Sequence, residues 1–109
     1  MEKNTVLENK ASERRKQDRK EYEASIRIHQ EGKVLDAEGV DLSTGGISFF
    51  SDSVPSRFTS LDVVIVGGAI AIPGALRNAT QDEEGRYRVS VAFDAPQPEV
   101  YTVLTGQAQ

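Results

Sequence analysis

The chain has 109 residues, with 13 basic against 17 acidic side chains for a net charge of −4, no cysteine and one histidine. That length holds one domain and hardly two, and an apolar content of 38%, below the usual roughly 45–50%, makes the core modest. The composition excludes a disulfide frame and a thiolate zinc site. The N-terminus lacks the apolar stretch of a signal peptide, no run approaches the roughly 18 apolar residues of a membrane span, and the acidic balance speaks against nucleic acid. The expected location is cytoplasmic.

Residues 1–20 are polar and charged, and Val6, Leu7 and Ala11 cannot bury enough to offset their ordering entropy. Residues 1–12 are expected to be a flexible arm and 13–109 the folded domain. Charge concentrates in Arg14-Arg15-Lys16-Gln17-Asp18-Arg19-Lys20, a local +4 that leaves −8 on the other 102 residues. From Tyr22 onward, short alternating runs follow one another with turn signals between them. Tyr22 to His29 alternates, with Tyr22, Ala24, Ile26 and Ile28 on one face. Glu31-Gly32-Lys33 reads as a tight turn, Val34 to Leu42 as a second strand and Gly46 to Phe50 as a third. Leu61 to Val66 is β-branched and reads as a more buried strand. Gly67-Gly68 makes a hairpin turn into Ala69–Ala79, where Pro73-Gly74 suggests a bulge or an edge. Asp82 to Gly85 is a turn, and Tyr87, Val89, Val91 and Phe93 alternate in the last strand. Six strands at even spacing argue for an all-β fold, a small antiparallel barrel or sandwich. After Pro96 and Pro98, a short helix is expected, with Val100, Val103 and Leu104 on its covered face and Gly106 as its stop.

The sequence offers almost no catalytic chemistry. His29 stands alone in a strand pattern, where a solvated side chain is the plain reading. There is no HExxH, no cysteine nucleophile and no serine elbow, and Glu83 and Glu84 fall in an exposed turn. The expectation is a protein that is not an enzyme and holds no metal or cofactor.

Two motifs remain, both at strand boundaries. One is Arg14-Arg15-x-x-x-Arg19, the other Asp41-Leu42-Ser43-Thr44-Gly45-Gly46. Each has a plain reading: an arginine run is usually a solvated face, and Asp-x-Ser-x-x-Gly is usually a turn closed by glycine. Together they suit one ligand class. Arginine forks match phosphate and the O6/N7 edge of guanine. Asp41 can accept from the guanine Watson–Crick edge, Ser43 adds a short donor and acceptor, and Gly45 and Gly46 open the backbone to close approach. Guanine plus phosphate uses all of these groups at once.

An RRxxxR run followed about twenty residues later by DxSxxGG, then by strands such as Arg88-Val89-Ser90-Val91-Ala92-Phe93, resembles a PilZ domain over residues 13–104. The resemblance implies a six-stranded antiparallel barrel that binds the bacterial second messenger cyclic di-GMP. It implies phosphate and guanine contacts from Arg15 and Arg19, and a contact from Arg14 to a second ligand molecule. Asp41 and Ser43 are implied to read guanine, with Gly46 shaping the turn and Gly45 at a variable position. The family often has aromatic or proline residues between its arginines, where this chain has Lys16, Gln17 and Asp18. The expected mechanism is a ligand-gated switch in which a dianionic ligand orders the arginine-bearing arm around residues 8–20 and the change signals to a protein partner or an attached effector domain, with no nucleic acid and no membrane span involved. Two rival readings follow from the same residues. One is a nucleotide-free adaptor docking a motility or secretion protein through an apolar patch at Phe49, Phe50 and Phe58. The other is a nucleic-acid-binding small barrel, against which stand its acidic body and its 6% aromatic content.

Overall fold

Alternation of apolar and polar residues gives the sheet one apolar face, which turns inward. A computed structural model describes residues 19–106; the 1–12 arm, Arg14 and Arg15 lie outside them. The strands are β1 (Lys20–Glu21), β2 (Ser25–Gln30), β3 (Lys33–Leu42), β4 (Gly46–Ser51), β5 (Leu61–Ile65), β6 (Ile70–Gln81) and β7 (Tyr87–Phe93), followed by helix α1 (Pro98–Thr105). Neighbours run β1-β3-β2-β5-β6-β7-β4, all antiparallel, and a further β3–β4 pairing closes six of them into a barrel. Closure leaves those six strands without an exposed ladder edge. β1 lies along β3 as a continuation of β2.

Inward positions follow the period of two. Ile26 and Ile28, Ile47 and Phe49, Val63 and Ile65, and Val89 and Val91 all have 3% or less of their surface exposed. Each stabilises the barrel by about 1.5–3 kcal/mol through burial. The β2–β3 hairpin turns in two residues, Glu31 at φ 53° and Gly32 at φ 79°, paired ends Gln30 and Lys33. Two positive φ values define the type I′ turn that matches strand twist. His29 is exposed on the outer face of β2.

Four local expectations need correction. The first strand is not continuous. Between Glu21, opposite Asp41, and Ser25, opposite Glu38, the chain gains one residue over β3. Tyr22 N–H donates to the Val40 carbonyl at 3.0 Å, and Gly39 N–H to that of Ala24 at 2.7 Å. A Cβ on Gly39 would stand 2.5 Å from the Tyr22 carbonyl oxygen, so this crossing requires glycine.

Pro73-Gly74 is not a bulge, and β6 is not an edge strand, but its β7 ladder stops short of Pro73. The Pro73 carbonyl accepts from Asp94 N–H at 2.9 Å, beyond the last ladder pair Gly74–Phe93. A strand residue's nitrogen faces the same neighbour as its carbonyl, so the missing proline donor falls where the β7 ladder has ended. The register shift in β6 comes later, between Leu76 and Asn78.

The covered face of α1 carries Val100, Tyr101 and Leu104, while Val103 is 72% exposed. Rotating the helix to bury the larger tyrosine ring turns Val103 outward. Gly106, at φ 73°, ends the helix by donating to the Thr102 carbonyl at 3.0 Å.

Phe49, Phe50 and Phe58 do not form one patch. Phe49 is fully buried in the core, Phe50 lies on the outer face beneath Arg86, and Phe58 is 87% exposed on the β4–β5 loop.

Candidate ligand-binding site

The outer face over β3, β4 and β7 gathers the polar groups. The β3–β4 register slips between Gly39 and Asp41, so one extra residue enters β3 there. Downstream of that bulge, Asp41 pairs with Glu21 on one side and Ser48 on the other. Its carboxylate lies between two guanidinium groups. Arg19 Nη1 stands 2.5 Å from Oδ1, and Arg88 Nη2 stands 3.3 Å from Oδ2. Both donors are charged and the acceptor is charged, the stronger class of hydrogen bond. The Asp41 side chain is 20% exposed, and those of Arg19 and Arg88 are 37% and 48% exposed. The trio is open to solvent on one side and carries a net +1. Beneath it, Ser48 is buried and shares a 3.2 Å hydrogen bond with Ser90.

Of the seven residues singled out by motif, the structure brings Arg19 and Asp41 into contact. Arg14 and Arg15 lie outside the described residues. Ser43, Gly45 and Gly46 form the β3–β4 turn. Ser43 is buried, and its Oγ donates to the Gly46 carbonyl at 3.3 Å and accepts from Gly45 N–H at 3.2 Å. Gly46 has no room for a side chain, since a Cβ would stand 2.4 Å from the Val91 carbonyl oxygen. Gly45 faces open space.

This turn is tied to the chain entering α1. Phe93 N–H donates to the Gly45 carbonyl at 2.9 Å, and Gln97 N–H donates to the Thr44 carbonyl at 2.7 Å. Gln97 is the residue from which α1 starts. The motif turn and the helix are therefore one hydrogen-bonded unit.

Two arginines near the site lie outside both motifs. The alternation of β7 turns Arg88 outward, but only barrel closure brings it across β4 to Asp41. Arg86 lies over the Phe50 ring, 4.2 Å from its centroid, next to the same cluster. Asp82 steadies Arg86 from the β6–β7 turn at 3.3 Å. Asp82 Oδ1 also accepts from Glu84 N–H and Arg86 N–H, both at 2.9 Å. Desolvation pushes the Asp82 pKa up, but these backbone donors and the Arg86 charge outweigh it and hold the carboxyl below its ordinary value. Burial raises the pKa of Tyr22, whose ring packs against Gly39. Among the described residues no cluster of His, Cys, Asp or Glu suits a metal ion, and no helix is long and apolar enough to cross a membrane.

Comparison with known proteins gives the arrangement its family. No curated protein matches the chain. Among solved structures it is similar to the Bacillus subtilis inhibitor of motility MotI/DgrA, with TM-score 0.63 and 13% identity over 82% of this chain and 46% of that one. It is also similar to K. pneumonia MrkH in its apo state, with TM-score 0.52 and 18% identity over 71% of this chain and 41% of that one. At such identities these likenesses are of fold, and the chain spans less than half the length of either protein. The PilZ domain family model matches residues 13–106, nearly the whole chain. The chain therefore belongs to the PilZ domain family, whose ligand is cyclic di-GMP.

Proposed function

We propose that this domain binds cyclic di-GMP on the outer face of the barrel and passes the event on as a conformational change. The observation that carries this reading is the Arg19–Asp41 ion pair. It joins the last arginine of RRxxxR to the first residue of DxSxxGG on an open surface. In this reading Arg15 and Arg19 take the phosphates and guanine faces, and Asp41 accepts from a guanine Watson–Crick edge. Arg14 serves a second ligand molecule. Ser43, Gly45 and Gly46 hold the turn on which Asp41 depends.

Magnitudes favour exchange. A partly exposed ion pair such as Arg19–Asp41 is worth about 0–1 kcal/mol. A hydrogen bond to a charged group is worth about 1.5–3 kcal/mol. A dianion that offers phosphate to Arg19 and donors to Asp41 exchanges this one pair for several charge-assisted bonds on the same surface, so the gain comes from their number. Rearrangement of the arginine loop then acts on the motif turn, and the Thr44–Gln97 hydrogen bond supplies a route to α1. A protein partner or an attached domain would read the altered loop or helix. The scattered phenylalanines give the adaptor reading no patch of its own.

Calorimetry with cyclic di-GMP tests the proposal. Micromolar or tighter affinity is expected, weakened at least tenfold by Arg15→Ala, Arg19→Ala or Asp41→Ala and unchanged by Arg57→Ala. Absence of binding by the unmodified chain at micromolar ligand would overturn it.

A further inference from the structure

Next to the Arg19–Asp41–Arg88 cluster lies an open concavity of about 480 Å3, lined in part by Ser25, Glu38, Phe50 and Arg86. Its volume falls within the range of small-molecule sites. Strand register fixes its floor. Glu38 on β3 is directly opposite Phe50 on β4 and, on its other side, Ser25 on β2. Phe50 lies two residues beyond Ser48, the partner of Asp41, on the same face of β4. That spacing puts it about 7 Å along the strand. The Arg86 guanidinium over Phe50 is steadied by Asp82 at 3.3 Å and Glu84 at 3.8 Å. The surface therefore has an acidic side chain and an arginine lining a second station beside the first, where Glu23 also lines the concavity and Arg86 is already paired with Asp82 and Glu84.

Cyclic di-GMP carries two identical bases on one phosphate–sugar ring. The geometry points to this concavity as the seat of the second guanine, an inference that rests on the binding reading above. The Arg86 guanidinium, backed by Phe50, offers a flat cationic face on which a purine stacks. The Glu38 carboxylate accepts from guanine N1–H and its exocyclic amino group. Adenine would present an acceptor at N1 to that carboxylate, leaving two acceptors face to face. Glu38 thus selects guanine at this station, as Asp41 does at the other.

The test uses the full chain and two ligands, cyclic di-GMP and the mixed 3′,3′-cyclic GMP-AMP, in calorimetry. In the mixed ligand one station must receive adenine. The unmodified protein is expected to favour cyclic di-GMP by about tenfold, the scale of one bidentate base contact. Glu38→Gln is expected to bring the two affinities close to parity, because the amide can donate to adenine N1. Arg86→Met is expected to weaken both ligands several-fold. Both side chains are exposed, and a cooperative thermal melt would show that each variant folds, with Arg86→Met melting slightly lower because it loses the Asp82 pair. No preference in the unmodified protein, or a preference that survives Glu38→Gln, would overturn the inference while leaving the binding reading intact. Absence of binding of either ligand to the unmodified protein would overturn both.

Discussion

Arg88, on the last strand, reaches across β4 and places Nη2 3.3 Å from Oδ2 of Asp41. The two residues are 47 apart in sequence, and only the closed barrel makes them neighbours. Asp41 is thereby held from the barrel side, while Arg19 approaches from the N-terminal loop.

That arrangement predicts unequal roles for the two arginines. Arg88→Gln leaves the Arg19–Asp41 pair in place but frees one carboxylate oxygen and removes a positive charge. Cyclic di-GMP affinity is expected to fall by about three- to tenfold, and to depend less steeply on salt. Stability should change by no more than about 1 kcal/mol, as for other partly exposed pairs. Titrations at two salt concentrations, with a denaturation curve for each protein, check both statements.

The adjacent glycines of the motif should behave oppositely. A Cβ at Gly46 meets the Val91 carbonyl oxygen at 2.4 Å, and that contact is backbone. Gly46→Ala is expected to destabilise the barrel by about 1–3 kcal/mol. A Cβ at Gly45 meets nothing within 4 Å, and its φ is not positive. Gly45→Ala should be neutral, or stabilising by up to about 1 kcal/mol through the unfolded chain. Urea denaturation of the two variants separates them.

Phenylalanine substitutions should divide the same way. Phe49 is fully buried, so Phe49→Ala is expected to cost about 3–5 kcal/mol. Phe58 is 87% exposed, and Phe58→Ser should change stability by no more than about 0.5 kcal/mol. Thermal melts of both variants provide the comparison.

Acid should erase the contribution of the Asp82 charge. Its pKa is lowered in the folded state, so the stabilisation is present above the ordinary carboxylate value of about 3.9. It is lost as pH falls through the lower folded value. Asp82→Asn keeps an acceptor for the turn but loses the charge facing Arg86. The variant is expected to melt lower than the unmodified protein at neutral pH, with the gap closing in acid. A gap that persists at the lowest pH would instead implicate the acceptor geometry of the turn.

Much of the barrel was legible in the chain because its signals are local. Ile26 and Ile28, or Val89, Val91 and Phe93, declare their shared face by a spacing of two. Glu31-Gly32 declares a hairpin by residue type. The remaining features depend on contacts distant in sequence. The break at Tyr22 arises from its crossing over Gly39. The rotation of α1 reflects competition between Tyr101 and Val103 for the same cover. At the site, Arg19 and Asp41 belong to recognisable motifs, whereas Arg88 and Arg86 reach it only through the register of a closed sheet.

The motif turn divides its residues between two selective pressures. Ser43 closes the turn through its own hydroxyl, and Gly46 makes room for the strand behind it. Asp41 alone among the three faces the open surface with its charge. A lineage that abandoned the ligand would keep the serine and the glycine to preserve its barrel, while the aspartate drifted. Across such sequences, Ser43 and Gly46 would track the fold, and the joint retention of Asp41, Arg19 and Arg88 would mark the members still listening for a messenger.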